Sequence, residues 1–165
     1  MSIWISNLLA LMLLTPVAQA AGVALIPPAG FCMGAEDTGP IRYDPCAGAD
    51  VPPAILTARI GAEGSAGAMH DIRETVAWIS SDAGKAAMAS RGLAADVQIL
   101  ELSSRGDALV MLLRDRALPK PFWRVLVPLR GRLVTLDVTG EDAMPIAAGR
   151  ALAEAFLGQA RKSNG

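Results

Sequence analysis

Between Phe122 and Val138 apolar and polar positions alternate around a short break. The stretch reads Phe-Trp-Arg-Val-Leu-Val-Pro-Leu, then Arg-Gly, then Arg-Leu-Val-Thr-Leu-Asp-Val. Two apolar runs around a glycine-containing turn predict a β-hairpin. With Arg130 and Gly131 at the turn, Leu129 faces Arg132, Val127 faces Val134, Val125 faces Leu136 and Trp123 faces Val138. All but Arg132 are apolar, so this is the core face. The other face carries Phe122, Arg124, Leu126, Pro128, Leu133, Thr135, Asp137 and Thr139. It sets Arg124 opposite Asp137, an ion pair worth about 0–1 kcal/mol if exposed. A one-residue slip would expose the valines, so the register is fixed. Arg suits a left-handed turn position poorly, which leaves a longer loop open. Pro128 donates no ladder hydrogen bond and is expected at an edge or a bulge.

A second hairpin, Val97 to Ser103 and Ala108 to Arg114, closes around Arg105-Gly106-Asp107. Val97, Ile99, Val110 and Leu112 fall on one face, and Leu100, Leu102, Leu109, Met111 and Leu113 on the other. Strands apolar on both sides are usually covered twice. The Arg-Gly-Asp string reads as turn chemistry, not as an adhesion tripeptide. Ile55 to Ile60 predicts a strand, and Phe31 to Met33 a short one. From Ile72 the period changes: Ile72, Val76, Ile79, Ala83 and Ala87 predict a helix. Ser80-Ser81-Asp82 bends it by offering a fresh N-cap, and Arg91-Gly92 stops it. Asp142 is expected to cap a last helix with Pro145 in its first turn. Its stripe is Ala148, Ala151, Leu152, Ala155, Phe156 and Gln159, and Arg161 and Lys162 suit its C-terminal end. The final Ser-Asn-Gly is expected to fray. Together these elements predict an α+β fold, an antiparallel sheet of five to six strands packed on a bent helix and a C-terminal helix.

The N-terminal segment adds a destination. Ile3 to Leu14 is apolar but for Ser6 and Asn7, and Ala18-Gln19-Ala20 follows. This is a signal-peptide pattern with cleavage expected between Ala20 and Ala21, which places the mature chain in the periplasm. The n-region lacks Lys and Arg, so an uncleaved anchor is the alternative, although the run is short for a span. The organisation is then a signal peptide over 1–20, an irregular segment over 21–54 and the α+β domain over 55–162. Gly34 to Pro53 is rich in Gly, Pro and Asp, and so long a loop calls for a staple. Cys32 and Cys46, the only cysteines, are expected to form a disulfide in an exported chain. Glu36, Asp37, Asp44 and Asp50 lie in or near this loop, but calcium-loop spacing is absent and no metal is assigned.

With 19% charged residues and a net charge of −1, the chain has no basic excess to neutralise phosphates, and nucleic-acid binding is set aside. His70 is the single histidine and the natural general-base suspect, with Asp71, Glu74 and the Arg114/Arg124 pair as further titratable groups. No Gly-x-Ser-x-Gly, His-Glu-x-x-His or Walker motif accompanies them, so no catalytic residue and no cofactor is assigned. Arg114, Arg116, Lys120 and Arg124 cluster around Pro119 and Pro121. The balanced charge favours a solvated strand end, with Asp107, Asp115 and Asp137 as partners, over an anion-binding patch.

The order strand, loop, strand, helix, two hairpins and terminal helix resembles the PsbP/Mog1-like fold. Members of that fold begin with a proline-glycine-aromatic strand, as in Pro28-Ala29-Gly30-Phe31. They end with an aromatic-Arg strand, a Gly turn, a second strand and a helix, as in Phe122 to Gln159. Pro28 to Met33, Ser81 to Gly92 and Trp123 to Val138 are similar to a group of uncharacterised small exported proteins of Gram-negative bacteria. The resemblance implies location and fold, and with them a non-enzymatic accessory or binding domain that presents a sheet face or loop to an envelope partner protein. The partner surface expected is Pro119, Pro121 and Phe122 with Arg114 and Arg124, together with the Cys32 to Cys46 loop. The alternatives are an envelope enzyme with an unrecognised site near His70, or a membrane-tethered structural protein if the N-terminal segment is retained.

Overall fold

A computed structural model describes residues 18–20, 22–35, 39–141 and 144–165. Most of the expected signal segment, Ala21, Glu36, Asp37 and Asp142 therefore lie outside the described residues. Strands β1 (Ala18–Ala20) and β2 (Val23–Leu25) form a two-stranded ribbon, with Ala20 opposite Val23. The main sheet holds β3 (Phe31–Met33), β4 (Ile41–Pro45), β5 (Ala54–Ile60), β6 (Val97–Arg105), β7 (Ala108–Asp115), β8 (Phe122–Leu129) and β9 (Arg132–Gly140). Helices α1 (Ile72–Ser80) and α2 (Asp82–Met88) connect β5 to β6, and α3 (Ile146–Lys162) follows β9.

The sheet is antiparallel throughout, in the order β3-β4-β5-β9-β8-β7-β6. Two meanders thus meet where β5 pairs with β9, from Ala54 opposite Gly140 to Ile60 opposite Val134. The class is α+β as expected, but the sheet has seven strands, not five to six. The additional strand is β4, inside the segment read as irregular. Its Tyr43 is fully buried opposite Met33 and Leu56. On one face of the sheet, Leu56, Val110, Trp123, Val125 and Leu136 pack with Leu152 and Phe156 of α3. On the other, Leu109, Met111, Leu113 and Phe122 pack with Ile79 of α1 and with Met69 of a 3-10 turn. Both faces are covered, which explains why β7 is apolar on both sides.

The β8–β9 hairpin has the expected register, and Arg130 at φ 49° with Gly131 at φ 77° closes a two-residue turn despite the arginine. Strand β7 pairs with β8 only as far as Leu126, so Pro128 lies past the end of that ladder. Arg124 and Asp137 do pair, Nε to Oδ1 at 2.7 Å and Nη2 to Oδ2 at 2.8 Å. They are not a surface pair: both side chains are 11% exposed, and Arg124 also donates to the Met88 carbonyl that ends α2.

Three local expectations are corrected. In β6 the register shifts between Ile99 and Glu101, a bulge that leaves Leu100 exposed and puts Ile99 with Leu102 on the α1 side. In α3, Pro145 is the N-cap, and the buried stripe is Gly149, Leu152, Ala153, Phe156, Leu157 and Ala160, so Ala151 and Ala155 face outward. The C-terminal residues do not fray: Asn164 brackets Ala24, accepting from its amide at 3.0 Å and donating to its carbonyl at 2.7 Å, and Ser163 donates to the same carbonyl.

The break between α1 and α2 falls where Ser81 caps, its hydroxyl accepting from the Gly84 amide. Ala83 and Ala87 are exposed, and the buried residue of α2 is Gly84. A Cβ there would lie 2.1 Å from the Trp78 carbonyl oxygen, so only glycine lets α2 fold back on α1.

Candidate functional site

The disulfide expected from the cysteine count is formed, joining Cys32 of β3 to Cys46 just after β4. It walls a recess of about 460 Å³ on the α3 side of the sheet edge. Local sequence builds the other walls. Gly30, at φ 86°, turns the chain so that the Phe31 amide donates to the Pro28 carbonyl and the Gly30 carbonyl accepts from Cys46. That turn lays Ile26, Pro27 and Pro28 beside β3, while Tyr43 and Gln159 of α3 close the inner side. Ile26 is 37% and Met33 40% exposed at the mouth, and none of the lining side chains carries a charge at neutral pH. The Tyr43 hydroxyl donates to the Leu25 carbonyl, and burial pushes its pKa up to about 12, so the phenol stays neutral. Such a site takes apolar groups, with Gln159 as the polar side chain at its border.

A second hollow, about 390 Å³, lies beside α1 on the opposite face of the sheet, against Leu126 and Leu133. It brings together His70, Asp71 and Glu74, three of the titratable groups that the sequence offers, with Thr75 and Trp78, and the Arg114/Arg124 pair is not among its lining residues. Two of these are committed to the fold. Asp71 caps α1 by accepting from the amides of Arg73 and Glu74, and the Thr75 hydroxyl bonds the carbonyls of Ala68 and Asp71.

The proline-rich surface divides. Phe122 is 5% exposed and belongs to the core, and Arg124 stacks over its ring while bound to Asp137. Arg114 lies opposite Gln98, whereas Arg124 lies opposite Met111, so the two arginines do not pair. Pro119 is exposed, and Pro121 is half-buried beside the exposed Ile146 in a small hollow of about 180 Å³. Asp115 is also structural. Burial raises its pKa, but the amides of Ser90 and Ala117 and the charge of Arg91 outweigh that and hold the carboxyl below its usual value.

Among the described residues no three His, Cys, Asp or Glu side chains gather to hold a metal ion, and no helix is long and apolar enough to cross a membrane. Asp44, read as a loop carboxylate, pairs with Arg42 at 3.0 Å. Neither protein-family models nor curated proteins match the chain. Sequence reasoning reached the disulfide but not Ile26, Met33, Tyr43 or Gln159 as neighbours around it. The signal present was Ile-Pro-Pro ahead of an aromatic strand, and it does not tell which side of the sheet the prolines pack on.

Proposed function

We propose that this is a periplasmic, non-enzymatic binding protein that engages an envelope partner through the disulfide-walled recess. The observation that carries the reading is the uncharged, apolar recess with Ile26 and Met33 exposed at its mouth. Exposed apolar side chains around a preformed concavity mark a contact surface. The Cys32–Cys46 bridge fixes β3 against β4, so the recess is held in shape before anything binds, which lowers the ordering cost of association. Export and cleavage between Ala20 and Ala21 belong to this reading, as does the resemblance to small exported proteins with a PsbP/Mog1-like fold.

A photo-crosslinking residue at Met33 tests it in the native cell envelope. The expected result is one cross-linked protein from position 33 and none from position 100, where Leu100 is equally exposed on the far edge strand. Equal labelling from both positions, or none from either, removes the recess as the contact. The hollow beside His70 supports an enzymatic alternative, and turnover abolished by His70→Ala would favour it.

A further inference from the structure

We infer that the groove beside α1 is a second binding site, one that takes an Arg- or Lys-bearing segment of a partner polypeptide flanked by aliphatic residues. Asp71, Glu74 and Trp78 follow one another at spacings of three and four, which sets them along one side of α1. Beneath them the floor is apolar, made by Met69, Leu126 and Leu133. Trp78 is 51% exposed, whereas Trp123 is 2% exposed, so Trp78 offers an open indole face to a cation. Asp71 is a fixed charge, locked by the amides it caps, and Glu74 forms no ion pair among the described residues. No Lys or Arg lines the groove, so its local charge is negative on a chain of almost balanced charge. A basic side chain complements all three features. Its aliphatic stem covers the floor, and its head sits between the indole and the Glu74 carboxylate. A volume of about 390 Å³ exceeds one side chain, which leaves room for aliphatic neighbours along a peptide. This site is independent of the recess, which lies on the α3 side.

The test uses the full chain and the peptide acetyl-Ala-Leu-Arg-Leu-Ala-amide, with its Arg→Gln counterpart and arginine amide as the other arms. In a Trp4→Phe background, acrylamide quenching of tryptophan fluorescence reports Trp78, because the remaining Trp123 is buried. The expected result is saturable protection by the Arg peptide, roughly tenfold weaker binding of the Gln peptide, and weakening with added salt. Glu74→Gln, at an exposed position, should weaken the Arg peptide about three- to tenfold and leave the Gln peptide unchanged. Equal affinity for the two peptides, or no protection by either, overturns the proposal. So does binding of arginine amide as tight as that of the peptide, because the site would then take a small cation. Trp78→Phe should remove the quenching signal while the Trp123 emission persists, which separates loss of the reporter from loss of the fold.

Discussion

The Arg124–Asp137 pair offers the sharpest test of the packing. Both side chains are 11% exposed beneath α2, joined by two hydrogen bonds of 2.7 and 2.8 Å. Arg124 also reaches the Met88 carbonyl at 3.3 Å and lies 5.2 Å from the Phe122 ring centroid. An exposed pair would contribute about 0–1 kcal/mol. Here removal of one partner strands the other charge under the helix, which costs about 3–5 kcal/mol. Asp137→Ala and Arg124→Met are each expected to lose that much, a large share of the roughly 5–15 kcal/mol typical of a domain. The double variant Arg124→Met/Asp137→Leu leaves no orphan charge and is expected near wild type or above it. Urea unfolding followed by tryptophan emission, to which the buried Trp123 contributes, measures all three, with unchanged slopes as the check that the two-state treatment holds. Losses below about 1 kcal/mol in both single variants would show that water screens the pair and that α2 does not cover it.

Three further outcomes follow from local geometry. Gly84→Ala should destabilise by roughly 1–3 kcal/mol because its Cβ meets the Trp78 carbonyl oxygen at 2.1 Å, whereas helix propensity alone predicts a gain of about 1 kcal/mol. The sign of the change in urea midpoint decides. Opening the disulfide with Cys32→Ala/Cys46→Ala, across a separation of 14 residues, should cost about 3 kcal/mol in the loop-entropy model, read as the difference between oxidised wild type and the variant. Tyr43, the single tyrosine, should ionise only as the fold opens. Its folded pKa is raised from 10.0 to about 12, so its contribution is complete below pH 10 and is lost as pH rises toward 12. Tyrosinate absorbance and loss of structure should therefore rise together, and ionisation well before unfolding would show an accessible phenol.

How legible these features were depends on how much each position's chemistry discriminates. The β8–β9 register was readable because valine and leucine alternate with Arg, Thr and Asp, so one phase alone buries the apolar set. The bulge in β6 was not, because Ile99, Leu100 and Leu102 supply apolar groups to either face. In α3 the stripe was displaced because alanine and glycine lie on both sides, and the large buried residues Leu152, Phe156 and Leu157 fix too little of the phase. Strand β4 hid among Gly, Pro and Asp, and only its tertiary pairing with β3 and β5 makes it a strand. The Asn164 bracket on Ala24 spans 140 residues, and no local pattern announces it. At the recess the two cysteines announced the staple, but the apolar wall comes from residues as far apart as Ile26 and Gln159.

Native mass spectrometry of the protein isolated from its own cell envelope, with and without reductant, tests the central claim most directly. The account predicts a chain that starts at Ala21, gains two hydrogens on reduction and carries a second protein that Met33→Arg releases. A chain that retains residues 1–20, or travels alone, or carries only a small-molecule adduct, would contradict it.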